Sequence, residues 1–247
     1  MTIQTAVCSY QGGRQYNEDH AVCMNSDGVC AAIVADGLGG HGGGQIASGI
    51  ATNTIVNLFI QEPRIEAEYI RQLFERANQD VLSAQTAQLK MKSTGAALFI
   101  NKTAAVWGHV GDSRLYCFKD GTLSHQTIDH SVSQMAVFAG EIKKEQIRFH
   151  PDRNKVLRAF GGAESFKPEI SSVHTLTVGF YAFLLCTDGF WEYVREPEME
   201  IELAKAGTPS DWLQGMIQRL AGRVPKDHDN FSAVSIFISG DDKKDEE

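Results

Sequence analysis

The stretch Val29–Ala35, with the sequence VCAAIVA, runs directly into Asp36-Gly37. A second stretch, residues 181–187 with the sequence YAFLLCT, ends in the same way at Asp188-Gly189. Short, unbroken apolar runs rich in β-branched and aromatic residues are typical of buried strands. Each run therefore predicts a buried strand that delivers a carboxylate where it ends.

Two more acidic segments adjoin strand-like stretches. Asp229 precedes the apolar segment 231–238, and Glu18 and Asp19 precede the segment 20–24. Carboxylates at the ends of strands in one sheet system would lie close together and repel, by roughly 4 kcal/mol per pair at an effective dielectric constant near 20. They would have to protonate, spread apart or bind cations. Mg²⁺ and Mn²⁺ are the expected cations because they prefer oxygen ligands.

Length and composition favour a single large unit. The chain has 247 residues, of which 43% are hydrophobic, and this is enough for a sizeable core. We expect residues 1–240 to form one domain and the acidic tail, residues 241–247, to be disordered. The glycines cluster around residues 37–44 instead of forming a repeat, and this favours a special loop over a fibrous chain.

Charge and cysteine usage limit the partners and the compartment. The net charge is −8 and no long basic block occurs, so we expect neither nucleic acid nor an anionic membrane as a partner. The five cysteines are odd in number and lack a CxxC spacing, which favours free thiols in a reducing compartment. Neither a secretory signal nor an apolar run of about 18 residues is present. These features predict a cytoplasmic monomer without membrane insertion.

The order of the elements favours a layered α+β fold. Helical spacing of apolar residues predicts a pair of helices between strands and a second pair before the last strand, at residues 47–58, 65–81, 198–205 and 210–222. Apolar and β-branched runs predict strands near residues 3–9, 29–35, 95–100, 104–110, 114–118, 170–176, 181–187 and 231–238. Runs of strands followed by runs of helices argue for antiparallel sheets covered by helices rather than a doubly wound βαβ sheet. The polar segment of about 130–168 predicts a surface excursion resembling a flap.

Six short motifs follow one another along the chain. They are Arg14-x-x-Asn17-Glu18-Asp19, Ala35-Asp36-Gly37-Leu38-Gly39-Gly40-His41, Gly111-Asp112-Ser113-Arg114, Asp129-His130-Ser131, Cys186-Thr187-Asp188-Gly189 and Asp229-Asn230. In this order they resemble the metal-dependent protein phosphatases of type 2C, in particular their bacterial-like branch. The resemblance runs from about residue 5 to residue 238. It implies a serine/threonine phosphatase with a central β-sandwich of two antiparallel sheets flanked by helix pairs, in four αββα layers.

The resemblance also implies a centre of two Mn²⁺ or Mg²⁺ ions. It would make Asp36, the Gly37 carbonyl, Asp188 and Asp229 the metal ligands, with Glu18 and Asp19 binding the ions directly or supporting the ligands. In the bacterial-like branch, Asp112 would help Asp188 to hold a third, looser ion. Arg14 would bind the phosphate, so that Arg14, Asp36 and Asp188 carry the catalysis.

These residue types suit phosphate chemistry on their own account. A phosphomonoester carries about two negative charges near neutral pH and must be neutralised before an anion can attack it. Two hard cations bridged by Asp36 would supply that charge and acidify a shared water for attack on phosphorus. The Arg14 guanidinium matches two phosphate oxygens. Gly37 lacks a Cβ, which lets its backbone approach a metal closely.

Several simpler interpretations of single motifs remain open. One Asp-Gly pair alone usually marks a hairpin turn, Asp112 could cap a turn, and His130 fits a packed structural histidine. The glycine-rich loop lacks the Gly-Lys-Ser/Thr ending of a P-loop. Some relatives carry a histidine as the general acid where this chain has Leu38, which leaves that role open between His41 and a water on the metal.

The partners and the function also keep alternatives. We expect the substrates to be phosphorylated proteins and the activity to oppose an intracellular serine/threonine kinase. One alternative is a phosphatase-like module that has lost turnover and only regulates or binds phosphopeptides. Another is a metal-dependent hydrolase of small phosphoesters. The three metal-ligating aspartates argue against the module.

Overall fold

Two stacked antiparallel sheets form the centre of the protein in the computed structural model, which describes residues 1–39, 42–162 and 166–239. The predicted acidic tail at 241–247 and His41 lie outside the described residues. The first sheet has the strand order β1-β13-β12-β8-β9. Its strands are β1 (Thr2–Tyr10), β8 (Arg114–Lys119), β9 (Thr122–Gln126), β12 (Phe180–Cys186) and β13 (Phe231–Ser239).

The second sheet has the order β10-β7-β6-β3-β2, and a short further strand, β11, also pairs with β7. Its strands are β2 (His20–Ser26), β3 (Val29–Ala35), β6 (Gly95–Asn101), β7 (Ala104–Val110), β10 (Glu169–Ile170) and β11 (His174–Thr175). A separate pair of two-residue strands joins β4 (Gly37–Leu38) to β5 (Lys92–Ser93). Of these two strands, β4 directly follows Asp36 in the chain.

Helices cover both outer faces of the sandwich. Their bounds are α1 (Gly43–Gln61), α2 (Ala67–Ala84), α3 (Val132–Phe138), α4 (Asp188–Trp191), α5 (Glu196–Leu203) and α6 (Pro209–Ala221), with a 3₁₀ helix at Lys144–Phe149. Helix α6 begins one residue before its predicted start at residue 210, because the Thr208 side chain accepts a hydrogen bond from the Asp211 N–H and thereby caps the helix. None of the described helices combines the length and the apolarity needed to cross a bilayer.

Three apolar cores separate four layers. In β3, Ala31 and Ile33 pack toward α1 and α2, whereas Cys30 and Val34 pack between the two sheets. The unbroken apolar run of β3 is therefore explained by burial on both faces of its sheet. A third core lies between the first sheet and helices α4, α5 and α6. The predicted α+β sandwich with outer helices in αββα layers is confirmed.

Two strand predictions differ from the structure. The strand predicted at 170–176 is divided into β10 and β11, because the Ser171 hydroxyl accepts a hydrogen bond from the Trp107 N–H at 3.0 Å and donates to the Ser172 carbonyl at 2.8 Å. Side-chain hydrogen bonds of this kind compete with regular pairing. Strand β9 was not predicted, since only Leu123 among its five residues is strongly apolar.

The predicted excursion at about 130–168 contains α3 and the 3₁₀ helix. A bridge between Ser131 and Val156 closes the excursion on itself. An ion pair of 2.6 Å between Arg153 and Glu192 and a bridge between Phe160 and Ser93 tie it to the rest of the fold. The segment between these ties brings Asn154 and Val156 to the wall of a polar cavity. The excursion therefore contributes to the candidate site.

Candidate metal centre and active site

The carboxylates predicted from separate motifs meet at one end of the sandwich. There a cavity of about 420 Å³ is lined by Arg14, Gln15, Tyr16, Glu18, Asp36, Gly37, Leu38, Gly39, Asp112, Asn154, Val156, Asp188, Asp229 and Asn230. β3, β12 and the segment before β13 supply Asp36, Asp188 and Asp229, because these three strands reach the same end. All but one of the predicted site residues line this cavity, and the exception is Asp19.

Asp36 is held by its own backbone at the end of β3. Its N–H donates to Thr94 Oγ1 at 3.0 Å, and its carbonyl accepts from the Thr94 N–H at 2.9 Å and from Ser93 Oγ at 2.9 Å. Thr94 Oγ1 also lies 2.7 Å from Ser113 Oγ. These bonds fix the backbone of Asp36, whose side chain lines the cavity and also contacts the Asp19 carboxyl.

Gly37 lies where two backbone segments nearly touch. A Cβ atom at this position would lie 2.2 Å from the Gly44 carbonyl oxygen and 2.6 Å from that of Glu18. Only a residue without a Cβ fits here, because real Cβ contacts are not that short. The close approach brings the Gly37 backbone into the cavity wall together with the first turn of α1.

Asp188 opens helix α4 directly after β12. Its Oδ1 accepts the N–H of Gly189 at 2.7 Å, and a Cβ on Gly189 would lie 2.1 Å from the Asn230 carbonyl oxygen. The second Asp-Gly pair is therefore the start of a helix packed against the segment before β13, rather than a hairpin turn. This packing places Asp188 beside Asp229.

Asp19 lies behind the cavity wall rather than in it. Its Oδ2 accepts a hydrogen bond of 2.8 Å from Thr187 Oγ1, and the same hydroxyl accepts the Ser232 N–H at 2.9 Å. Asp19 is 6% exposed. It therefore connects the segment after Arg14 to the strand that delivers Asp188.

Asp112 lies in a tight turn after β7. Gly111 has a φ of +91°, and the Trp191 indole N–H donates to the Asp112 carbonyl at 2.9 Å. The Arg114 guanidinium lies 3.5 Å above the Trp191 ring and makes two hydrogen bonds to Asp129, at 2.8 and 2.7 Å. A buried arrangement of this kind fixes the turn that carries Asp112.

Among the described residues that line the cavity, Arg14 is the only one with a basic side chain. Its Nη2 lies 2.7 Å from Asp229 Oδ2. The charge of Asp229 raises the pKa of Arg14 above its ordinary value, against the opposing effect of burial. About half of the Arg14 side chain is exposed, so the guanidinium can reach a ligand at the mouth of the cavity.

Burial and mutual repulsion disturb the titration of these acids. Burial raises the pKa of Asp36 and of Asp188 well above the usual range, and the neighbouring carboxylates raise both further. Burial, with smaller contributions from other acids, raises the pKa of Asp19 and of Asp112 to about 7. Burial also raises the pKa of Glu18. Arg14 alone cannot balance so many carboxylates, and a set of oxygen donors with excess negative charge fits hard divalent cations.

A second group of titratable side chains lies outside this cavity. The rings of His109 and His130 are stacked with centroids 4.5 Å apart and planes 8° from parallel, and Glu169 lies beside them. Imidazole lone pairs lie in the ring plane, so two parallel stacked rings do not direct them at one ion. The Gly111 N–H donates to His130 Nδ1 at 3.2 Å. This arrangement fits the structural role that the sequence suggests for His130.

The sequence did not identify the residues that hold the acids in place. These residues are Thr94 behind Asp36, Thr187 behind Asp19, Trp191 behind Asp112, and Asn230 between Glu18 and the segment of Arg14. Thr187 and Asn230 stand beside acids within the motifs, and this was the available signal. Hydroxyl, amide and indole groups have many structural roles, so their residue types alone did not mark them.

Comparisons with known proteins agree with this geometry. A family model described as protein phosphatase 2C matches residues 10–226. The serine/threonine phosphatase stp of Listeria welshimeri is 33% identical over 199 residues, covering 76% of this chain and 77% of that protein. The serine/threonine phosphatase PstP/Ppp of Mycobacterium tuberculosis has a similar fold, with a TM-score of 0.83 and 27% identity over 97% of this chain and 100% of that one.

One further solved structure bears on the metal. The catalytic domain of PstP in complex with two manganese ions superimposes with a TM-score of 0.80 and 25% identity, over 96% of this chain and 99% of that one. The resemblance drawn from the six motifs is confirmed, since the family model covers most of the chain and five of the six motifs, all but Asp229-Asn230. The chain therefore belongs to the protein phosphatase 2C family.

Proposed function

We propose that this serine/threonine protein phosphatase hydrolyses phosphoserine and phosphothreonine with divalent cations held by the acids of the cavity. One observation carries the proposal. Carboxylates from five separate segments converge on a single cavity, where burial and repulsion oppose the ionisation of Asp36 and Asp188 and where Arg14 is the one arginine among the described lining residues. Divalent cations would remove that repulsion and complete the site.

The residues divide into those that hold cations and one that holds phosphate. Asp36, the Gly37 carbonyl, Asp188 and Asp229 would hold two Mn²⁺ or Mg²⁺ ions, with Glu18 and Asp19 binding or supporting them. Asp112 would join Asp188 at a third ion. When bound, the ions supply charge neutralisation at the phosphate and a water that is acidic enough to react at neutral pH.

Arg14 completes the proposed site as the phosphate-binding residue. Its guanidinium presents a planar set of N–H donors at the cavity mouth, which matches two phosphate oxygens. Leu38 lines the cavity where some relatives have a histidine, and a leucine cannot transfer a proton. The departing serine or threonine oxygen must therefore take its proton from another group.

The wider setting is part of the proposal. The substrates are phosphorylated proteins of the cytoplasm, and the activity opposes a serine/threonine kinase. The protein acts as a monomer through one domain, residues 1–240. The cavity wall formed by Asn154 and Val156 is open to a protein chain that carries the phosphorylated residue.

Release of inorganic phosphate from a phosphothreonine peptide tests this function directly. We expect release with added Mn²⁺ and none in excess chelator. Asp36→Asn and Asp188→Asn should each lower turnover by roughly a hundredfold or more, since each removes a charge that holds a cation. Asp80→Asn is the matched control, because Asp80 accepts its hydrogen bonds from Thr54 and Arg76 on the helix pair, outside the cavity.

Three outcomes would contradict the proposal. Full activity in excess chelator would exclude the role of the cations. Metal-independent binding of the phosphopeptide without phosphate release, measured by calorimetry, would indicate a binding module. Release from small phosphoesters but not from phosphopeptides would indicate a different hydrolase.

A further inference from the structure

We infer that Asn230 is a positioning residue for substrate phosphate, acting through the loop that carries Arg14. The inference rests on the proposed role of Arg14. Asn230 itself contributes no charge and is 5% exposed. Its amide group instead connects three backbone groups of residues 11–18 to the start of β13.

The Asn230 side chain makes three hydrogen bonds, and all three are to the backbone of residues 11–18. Oδ1 accepts the Glu18 N–H at 2.8 Å. Nδ2 donates to the Gln11 carbonyl at 2.6 Å and to the Tyr16 carbonyl at 2.9 Å. Because the two carbonyls belong to residues on either side of Arg14, the amide fixes both ends of the short segment from which Arg14 projects.

The same loop lies flat against the chain before β13. The Gly13 N–H donates to the His228 carbonyl at 2.9 Å. A Cβ on Gly12 would lie 2.3 Å from the Asp229 carbonyl oxygen, and one on Gly13 would lie 2.1 Å from that of Lys226. The glycines allow the loop to pack closely against the segment before β13, and the Asn230 side chain adds hydrogen bonds between the two.

This arrangement makes the position of Arg14 depend on Asn230. Arg14 reaches Asp229 at 2.7 Å, while Asp229 and Asn230 are neighbours in the chain. One dipeptide thus sets both a proposed metal ligand and the loop of the phosphate-binding arginine. Since misplacement of a binding group by about 1 Å can cost a hundredfold in rate, loss of the Asn230 contacts should appear in substrate binding.

Steady-state kinetics with a phosphothreonine peptide in saturating Mn²⁺ provide the first test. In Asn230→Asp an oxygen that can accept the Glu18 N–H is retained, whereas the two hydrogen bonds donated to the Gln11 and Tyr16 carbonyls are lost. We expect KM to rise roughly tenfold and kcat to change less than about threefold, because a contact present in both ground and transition states affects KM. Asn230→Ala should raise KM at least as much.

A double-mutant cycle separates positioning from other effects. In an Arg14→Ala background, the KM effect of either Asn230 substitution should fall to less than about twofold, since the residue would then have no arginine to position. Repulsion of phosphate by the new charge in Asn230→Asp would persist in that background. Asn78→Ala is the matched control. Like Asn230, Asn78 is a buried asparagine, 4% exposed, and its Oδ1 accepts a backbone hydrogen bond, from the Gly161 N–H at 2.8 Å, but it lies outside the cavity.

Amide hydrogen exchange tests the same inference without any enzymatic reaction. In Asn230→Ala, the Gly13 and Glu18 amides should exchange roughly tenfold faster, the change expected when about 1.4 kcal/mol of hydrogen bonding is lost. In Asn230→Asp, the Glu18 amide should stay protected while the Gly13 amide exchanges faster. The Val234 amide in β13 should be unchanged in both variants.

The outcomes discriminate between this inference and the function on which it rests. Equal KM effects with and without Arg14, in an active enzyme, would overturn the positioning role alone. Unchanged exchange at Gly13 would overturn it even if no phosphatase activity were found. If neither Asn230 variant folds, Asn230 is a folding determinant and the inference is also overturned.

Discussion

Asp112 shows what burial does to a single carboxyl group in this site. It is 3% exposed, and burial together with the nearby Asp129 raises its pKa to about 7. In an unfolded chain the pKa of an aspartate is about 3.9. The folded protein therefore binds the Asp112 proton more tightly than the unfolded chain does. The stability that this proton contributes is present below about pH 4 and is lost as the pH rises through 7.

Asp112→Asn should therefore stabilise the metal-free protein at neutral pH. One pKa unit corresponds to about 1.4 kcal/mol, so we expect a gain of roughly 2 to 4 kcal/mol in the free energy of unfolding at pH 7.5. The difference should disappear near pH 4, where the wild-type carboxyl is protonated. Urea unfolding in excess chelator at both pH values measures it.

The matching control for this experiment is Asp80→Asn, since Asp80 is partly exposed on α2. It should change stability by less than about 0.5 kcal/mol at either pH. An Asp112→Asn variant that loses stability at pH 7.5 would show that the turn needs the carboxylate itself. The carboxyl of Asp112 would then not be a source of strain in the metal-free protein.

Residue types at strand ends were enough to predict four of the five acids that line the cavity, whereas Asp112 came only from the family resemblance. Asp36 and Asp188 each follow an apolar run, and charge at the end of a buried strand has few purely structural uses. The supporting groups could not be predicted in this way. The Thr187 hydroxyl acquires its role only because folding brings Asp19 within 2.8 Å, and their distance in the sequence is 168 residues.

At the scale of elements, the contact between β4 and the first turn of α1 brings two backbones unusually close together beside Asp36. A Cβ on Gly44 would lie 2.5 Å from the Gly37 carbonyl oxygen, and the reciprocal distance from a Gly37 Cβ to the Gly44 oxygen is 2.2 Å. Both glycines are needed because two backbones meet there. The helix is thereby held against the strand end that carries Asp36.

Gly37→Ala should force these two elements apart. We expect a loss of roughly 1 to 3 kcal/mol in the free energy of unfolding, as for other overpacked sites, together with weaker Mn²⁺ binding. Thermal unfolding and calorimetric titration with Mn²⁺ would measure the two effects. An unaltered stability would show that the strand and helix can separate without cost.

Gly49→Ala provides the control within the same helix. A Cβ at Gly49 would meet nothing within 4 Å, and alanine is the better helix former by about 0.5 to 1 kcal/mol. We therefore expect this substitution to stabilise the protein by about that amount. Opposite signs for two Gly→Ala changes would separate the effect of close packing from that of helix propensity.

Elements with strong periodicity were predicted well, and short polar ones were not. Both long helices and β3, β7 and β13 lie within a few residues of their predicted positions. By contrast, β9 is largely polar, and β10 and β11 have two residues each. Their pairing depends on β7 and β8, which provide the hydrogen bonds, so their own sequences carry little signal.

At the scale of the whole molecule, the two sheets share one apolar core to which both contribute. Phe183 is 1% exposed in this core, and its ring centroid lies 6.4 Å from that of Trp107 on the opposite sheet. Strands β3 and β12, one from each sheet, end at the candidate metal site, so the core sets the spacing between Asp36 and Asp188.

Phe183→Ala should lower the free energy of unfolding by about 3 to 5 kcal/mol, the usual cost of a large cavity in a core. Phe138→Ala, at a side chain that is 64% exposed, should change it by less than about 0.5 kcal/mol. Chemical denaturation of both variants gives the comparison. Similar values for the two would mean that the sheets repack around the missing ring.

The layered class could be inferred from the order of strands and helices, whereas the order of strands within each sheet could not. Strand β1 pairs with β13 over nine residues, although nearly the whole chain separates them. Such pairing depends on contacts between distant segments, which local patterns do not encode. That all six motifs belong to one site was predicted from the family resemblance.

The pairing of β1 with β13 also determines when this enzyme can first act. Arg14 and Asp229 are 215 positions apart, an interval that a ribosome needs roughly 10 to 40 s to translate at about 5 to 20 residues per second. During that time the growing chain contains Arg14 but not yet Asp229 and β13, which hold Arg14 in position. Each newly made molecule therefore lacks a complete site for phosphorylated proteins until the ribosome has synthesised β13.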